Sequence, residues 1–452
     1  MTHVKRFAPA LALVALLWGV APARAQGSFY QEVPKDDRIY VFNQMKVYEE
    51  WLKTGEMGKS ITRVGVGPNG ETIVFDSNEA IHLYNFKHGL PGEVLLEPEV
   101  KKPTMNISWK DGKTTFEFDK AQINISNRVQ VRYTHDEPGD PNNHESKGSF
   151  RIRRGRTKVD GWIYSKDLTY GLEMDWADSG NILLEAGLNY DVSHGRKLFQ
   201  IQGGQFKTPV SRQFLTSSTA LQFVDRSIVT AEFTKEYDIG MQLWGQTPGG
   251  KLEWRGGLFN GADRNKTAND NDKFEFDGRV TWNVLGDVKY SESDFESTDK
   301  PLLAVAVKYY NNNMQGATAG DDLARQVYGA DLSFKFKGLS VLGEFYQRKS
   351  QPEVSIDFDS TGYYAQVGYF IYKRHVEVAL RHAMIDPRDN TVDSAGLQVA
   401  TIANDHRIER GVAVNWFMNK HSLKLQTDYI QVEDELRDRT DDQARLQMQI
   451  MF

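Results

Sequence analysis

The chain has 452 residues, 55 basic and 61 acidic, for a net charge of −6, and it contains no cysteine. A cysteine-free chain excludes a disulfide scaffold and thiolate metal sites. The acidic balance gives no reason to expect nucleic acid as a partner, and any case for an anionic ligand must come from where the charges sit. Mean hydropathy is −0.54, as for a soluble protein, but membrane barrels hide their apolar residues in alternation.

The first residues read as a secretory signal. Lys5 and Arg6 supply a positive start, Ala8 to Val20 an apolar run, and Ala23-Arg24-Ala25 a small-residue cleavage site, so residues 1–25 are expected to be removed and Gln26 to begin the mature chain. The apolar run is too short for a membrane anchor. Removal leaves 52 basic against 61 acidic residues, a net charge of −9.

Residues 26–112 are mixed in pattern. Val41, Met45, Tyr48 and Leu52 recur at helical spacing, and Pro68-Asn69-Gly70 separates two short apolar runs, Ile61–Val66 and Glu71–Phe75. The stretch from Pro91 to Pro103 is rich in Pro, Glu and Lys and reads as a linker. A small mixed α/β periplasmic region is expected here, followed by a barrel over 113–452.

From about Phe116 the period becomes two. Ala121, Ile123, Ile125, Val129, Val131 and Tyr133 alternate with Gln122, Asn124, Ser126, Arg128, Gln130 and Arg132. Leu168 to Trp176, Ile182 to Tyr190, Tyr363 to Ile371, Val412 to Met418 and Ala444 to Phe452 repeat the pattern. A soluble sandwich would also alternate. These segments, however, reach about ten residues, the length of a tilted strand crossing the hydrocarbon layer, and aromatic residues gather near their ends. About sixteen such segments can be counted, an even number as bacterial barrels require. The fold class expected is all-β, a 16-stranded antiparallel transmembrane barrel in the bacterial outer membrane. A last strand ending on Phe452 resembles the signal read by the barrel assembly machinery.

The connections alternate in length. Lys166-Asp167, Pro248-Gly249-Gly250, Gly338, Arg374 and Asn419 mark short inner turns, whereas 136–147, 208–235, 262–273, 313–324, 351–360 and 386–404 are long and fall on the outer side. Two connections break the rule: Ser179-Gly180 is a short outer turn, and Asp287 to Pro301 a long inner one, where one strand is open to misplacement.

No catalytic set can be assembled, and no metal or cofactor is predicted. The ten histidines are scattered. Thr216-Ser217-Ser218-Thr219 has no assignable His/Asp partner, and Gly203-Gly204 and Gly249-Gly250 precede no helix that would cradle phosphate. Asp263, Asn265, Asn269, Asp270, Asn271 and Asp272 share one loop but lack EF-hand spacing, so a solvated loop or lipopolysaccharide contact is the expectation.

The distinctive feature is basic. Arg151, Arg153, Arg154, Arg156 and Lys158 lie within eight residues. Ile152 faces lipid if even positions point outward, but Thr157, Val159, Gly161 and Ile163 put odd positions there, so a β-bulge is predicted near Arg153-Arg154. With it, Arg151, Arg153, Arg156 and Lys158 can share the lumen, sparing the roughly 2–4 kcal/mol that Arg costs at the lipid midplane. Arg128 and Arg132 join the same wall. Arginine binds oxyanions through a planar fork and stays charged, which suits an anion path. The competing expectation is that these groups pair with Glu173, Asp175, Glu185 and Asp191 on the next two strands and only stiffen the barrel. The 208–235 connection carries Phe214, Leu215, Leu221 and Phe223, awkward in water, and is expected to fold inward, bringing Lys207, Arg212 and Arg226 to the channel.

The runs FRIRRGRTKVDGWIY, LTYGLEMDWAD, GGQFKTPVSRQFLTSS and FVDRS resemble those of the phosphate-selective porins O and P, most clearly over 148 to 260. The resemblance implies a sixteen-stranded trimeric barrel with an inward third loop and a basic anion channel to which Arg153, Arg154, Arg156 and Lys207 contribute. It implies passive diffusion of small anions, phosphate or polyphosphate among them, with outer-membrane lipids and lipopolysaccharide as surroundings. The alternatives are a general or sugar-type porin, and a plugged barrel anchored to the cell wall or a partner by its amino-terminal region.

Overall fold

Alternating side chains bounded by tight turns close a single antiparallel sheet on itself. The computed structural model describes residues 29–92, 105–140, 145–180, 182–266, 268–315, 322–353, 357–372, 374–391 and 405–452; the signal segment and most of the expected linker lie outside these. The chain divides into two units, Met1–Lys102 and Pro103–Phe452.

In the first unit, strands β1 (Gln31–Lys35), β2 (Arg38–Phe42), β3 (Ile61–Arg63) and β4 (Thr72–Phe75) form a sheet in the order β1-β2-β4-β3, with β2 and β4 parallel. The β3–β4 hairpin matches the Pro68-Asn69-Gly70 expectation. Helices α1 (Met45–Thr54) and α2 (Asn78–His88) accompany it. The helical face predicted from Val41, Met45, Tyr48 and Leu52 is corrected: Val41 belongs to β2 and is buried in the sheet core, while Met45 and Leu52 are exposed and Trp51 is the buried residue of α1. The strand's period of two placed Val41 on a spacing that mimicked a helix.

In the second unit, a hairpin of β5 (Asn106–Lys110) and β6 (Lys113–Phe118) leads into sixteen barrel strands. These are β7 (Ala121–Glu137), β8 (Lys147–Ile163), β9 (Ser165–Asp175), β10 (Leu183–Asp191), β11 (Gln200–Lys207), β12 (Tyr237–Gln246), β13 (Leu252–Phe259) and β14 (Glu275–Leu285), then β15 (Leu302–Met314), β16 (Leu323–Phe336), β17 (Leu339–Pro352), β18 (Phe358–Tyr372), β19 (Val376–Thr391), β20 (Arg407–Asn419), β21 (Leu423–Asp434) and β22 (Arg439–Met451). Each pairs antiparallel with the next, and β22 returns to β7, with Leu446 opposite Tyr133 and Met448 opposite Val131. Closure removes the free edges that an open sheet would present. Leu446, Met448, Val412, Val414, Trp416, Tyr369 and Ile371 are exposed on the outer surface, as their alternation requires.

Three details differ from the expected pattern. The chain reverses between β8 and β9 at Tyr164, in the left-handed region, and Lys166-Asp167 lie inside β9. Leu184 is the extra residue where β9–β10 pairing shifts, and it is buried beside Phe214 and Tyr237 rather than on the lipid face. Among the described residues, Asp191 pairs with no arginine; its carboxylate accepts the Ser193 and Lys197 amides at 2.9 and 3.0 Å and shapes the β10–β11 turn. Gly204 in β11 has φ +125°, and a Cβ there would sit 2.2 Å from the Ala186 carbonyl oxygen, so β10 and β11 approach closely only because it is glycine.

Both rule-breaking connections are genuine. β9 and β10 are joined by a short outer turn, and β14 and β15 by residues 286–301, with no further strand among the described residues of either.

Candidate functional site in the barrel interior

The long outer connection between β11 and β12 folds into the barrel. It contains α3 (Arg212–Leu215) and α4 (Ile228–Phe233), started by the Ser211 and Ser227 hydroxyls. Phe214, Leu221, Phe223 and Phe233 are buried. Phe233 stacks on Tyr346 of β17 with centroids 5.6 Å apart, Lys424 of β21 donates to the Leu221 carbonyl at 3.1 Å, and the Val224 amide donates to Asp428 of β21 at 2.9 Å. The apolar residues of this loop thus reach cover inside the barrel.

The predicted bulge is present. Gln130 of β7 pairs with Arg154 and Val131 with Ile152, leaving Arg153 as the extra residue of β8. Cross-strand neighbours share a face, so Arg132 stands opposite Arg151, Gln130 opposite Arg154, Arg128 opposite Arg156 and Ser126 opposite Lys158. The inserted residue lets Arg153 reach the same side, where its guanidinium lies 3.5 Å from Asp225 of the inward loop.

Carboxylates meet most of these cations. Asp225 accepts from Arg132 at 2.7 and 3.0 Å and from Arg445 at 3.0 Å, and lies 3.9 Å from Arg154. Burial disfavours this carboxylate, but Arg132, Arg445 and Arg153 outweigh that and hold its pKa far below the ordinary range. Arg156 donates to Asp175 at 2.7 Å and to Glu173 at 3.3 Å. Lys158 binds Glu185 at 2.9 Å and lies 3.8 Å from Glu173, while Arg128 lies 3.7 Å from Glu173 and donates to the Ser218 hydroxyl at 3.1 Å. A ladder of ion pairs therefore runs along this wall, cations on β7 and β8 against carboxylates on β9 and β10.

Four predicted cations behave differently. Among the described residues, no carboxylate lies within ion-pair distance of Arg151, Lys207, Arg212 or Arg226. Lys207 donates to the Phe214, Leu215 and Thr216 carbonyls at 2.9–3.4 Å, and Arg226 to those of Gln213, Phe214 and Thr216 at 3.1–3.4 Å. Both sit over the Phe214 ring, at 5.2 and 4.6 Å. Two cations thus gather at the carbonyl end of α3, where the backbone is negative. Arg212 instead points to the Val288 and Lys289 carbonyls at 3.0 and 3.2 Å. Arg151 is exposed.

Open space adjoins this wall. A cavity of about 650 Å³ lies among Arg151, Arg153, Arg154, Arg156, Asp225 and Arg226. A second, of about 570 Å³, lies nearer the inner end among Lys158, Asp160, Glu185 and Gln202. Among the described residues, no hydrogen-bond partner meets the buried Nε atoms of Arg153 and Arg154. Opposite, along β15–β22, the inward-facing Lys308, Asp331, Glu344, Gln366, Glu377 and Asn415 are buried.

Sequence reading missed Asp225 as a hub, although it adjoins Arg226 in FVDRS, and missed Arg445 on the polar face of β22. The Asn-rich loop holds local turns: Asn269 Oδ1 accepts the Asn271 amide at 3.0 Å, and Asn271 Oδ1 the Lys273 amide at 2.7 Å. Among the described residues, no three His, Cys, Asp or Glu side chains are grouped to hold a metal.

A closed barrel of sixteen strands with a long loop folded into its bore is the architecture of an outer-membrane porin. The family model described as phosphate-selective porin O and P matches residues 123–452, and the chain belongs to that family. The barrel is similar to the anion-selective porin from Comamonas acidovorans, with TM-score 0.52, 10% identity, and 74% of this chain and 100% of that chain covered. It is similar to the outer-membrane channel DcaP of Acinetobacter baumannii, with TM-score 0.53, 13% identity and coverage of 74% and 98%. The trimer form of OmpT from Vibrio cholerae gives TM-score 0.51 at 8% identity, covering 74% and 100%. Identities this low establish the fold alone. No curated protein sequence matches the chain.

Proposed function

We propose that this porin passes small anions, phosphate or polyphosphate among them, by passive diffusion along the β7–β11 wall, as a homotrimer whose amino-terminal unit faces the periplasm. The observation that carries the reading is the arginine-rich cavity of about 650 Å³. Arg151, Arg153, Arg154 and Arg156 line that cavity, and guanidinium groups offer planar donors to an oxyanion and keep their charge. The family description points the same way. No covalent chemistry or energy coupling is invoked. The Arg128, Arg132, Arg151, Arg153, Arg154, Arg156 and Lys158 side chains supply the positive wall, and Lys207, Arg212 and Arg226 hold the inward loop around it.

A second reading has its own support. Asp225, Glu173, Asp175 and Glu185 neutralise much of the wall, which favours a general or sugar-type pore. Reversal potentials across a planar bilayer in a KCl gradient separate the two. An anion-leaning potential, reduced when Arg153, Arg154 and Arg156 are replaced together by Ala and accompanied by loss of block by phosphate, is expected. A cation-leaning potential in the native protein would sink the anion reading.

A further inference from the structure

The 286–301 connection enters the barrel from the end opposite the inward outer loop. Val288, Glu292, Ser293 and Asp294 are each at most 3% exposed. Phe295 is packed between Phe370 and Phe417, with centroids 5.7 and 5.5 Å away. Asp294 accepts the Gly338 amide at 2.7 Å, which fastens the segment to the β16–β17 turn, and Lys335 donates to the Ser293 carbonyl at 3.0 Å.

This segment then meets the outer loop directly. Glu292 accepts from Gln213 Nε2 at 2.9 Å, from the Gln222 amide at 2.7 Å and from Gln366 at 3.0 Å, while its own amide donates to the Ala220 carbonyl at 3.1 Å. Arg212 closes the joint from the other side, through the Val288 and Lys289 carbonyls and over the Tyr290 ring at 4.8 Å. A buried carboxylate holding three donors is a strong, directional fastening. The two loops together occupy the bore beside β15–β22, and the two cavities remain beside β7–β11.

We propose that residues 286–301 are a second constriction element, and that Glu292 is the positioning residue that braces the outer loop from the inner end and so sets the width of the passage along the basic wall. The proposal rests on the reading of the barrel as a conducting pore. It adds that the pore's bore is defined by a pair of loops entering from opposite ends, and that selectivity is lost when either withdraws.

The test uses the full chain with residues 287–300 replaced by a two-residue Asn-Gly turn, and separately Glu292→Ala and Glu292→Gln, with barrel folding checked by heat-modifiable gel mobility. The loop replacement is expected to raise single-channel conductance at least threefold and to move the KCl-gradient reversal potential towards zero. Glu292→Ala should raise conductance about twofold with added open-channel noise, and Glu292→Gln, which keeps one acceptor oxygen, should lie between it and the native protein. A conducting native protein whose folded variants all match it overturns the brace and leaves the pore reading standing. A silent native protein with a conducting loop replacement supports the constriction and overturns the open pore. Silence in every form overturns both.

Discussion

Arg128 of β7 and Arg156 of β8 stand directly opposite one another in the barrel wall. Like charges in that position repel, and cross-strand pairs of this kind are destabilising by up to about 1 kcal/mol. Glu173, 3.7 Å from Arg128 and 3.3 Å from Arg156, compensates for both. Replacing Glu173 by Gln should leave three cations, Lys158 included, without that partner. Anion preference in reversal-potential measurements should rise, while thermal stability in detergent should fall by about 3 kcal/mol, the scale for opening a buried pair. Unchanged selectivity would mean the ladder is structural only.

Asp225 plays the matching role nearer the outer end. It joins Arg132, Arg153 and Arg445 to the inward loop, so Asp225→Asn weakens the loop's tie to β7, β8 and β22 at once. Larger conductance and a more anion-leaning potential are expected together. Single-channel recording checks both, and a smaller conductance would contradict the assignment.

The bulge makes a deletion informative. Removing Arg153 leaves Arg154 opposite Gln130 and Ile152 opposite Val131, so β8 becomes regular and the barrel should refold with its normal gel mobility. Removing Gly155 instead brings Arg154 opposite Val129 on the apolar face, costing about 2–4 kcal/mol near the midplane. Refolding yields in detergent should separate the two deletions clearly.

Lys207 is predicted to act through the loop. Lys207→Met strips a donor from three carbonyls of the 214–216 segment, and leaving such groups unsatisfied costs about 1–3 kcal/mol. A noisier open channel and a lower unfolding temperature are expected. A quiet channel with altered selectivity would place Lys207 in the permeation path itself.

Much of the barrel was legible because lipid lies on one side of each strand and polar groups on the other, which imposes a strict period of two. The same rule exposed the bulge, since only an extra residue reconciles Ile152 with Val159 and Ile163. The inward loop was visible as Phe214, Leu221 and Phe223 stranded in a long connection. The partners were not. Arg132 meets Asp225 93 positions away, and local spacing carries no trace of such a contact. Leu184 was misread because a register shift leaves its apolar character unchanged while turning it inward. The turn at Tyr164 escaped because its φ of 64° is unusual for an aromatic residue.

The inward loop is secured by Arg132 on the first barrel strand and by Lys424, Asp428 and Arg445 on the last two. Those anchors come together only once β22 has met β7. During assembly the loop's seat is therefore complete only when the cylinder has shut, because Arg132 and Arg445 reach Asp225 from the two sides of the seam. A bore that conducts with native selectivity is then one whose seam has already been sewn.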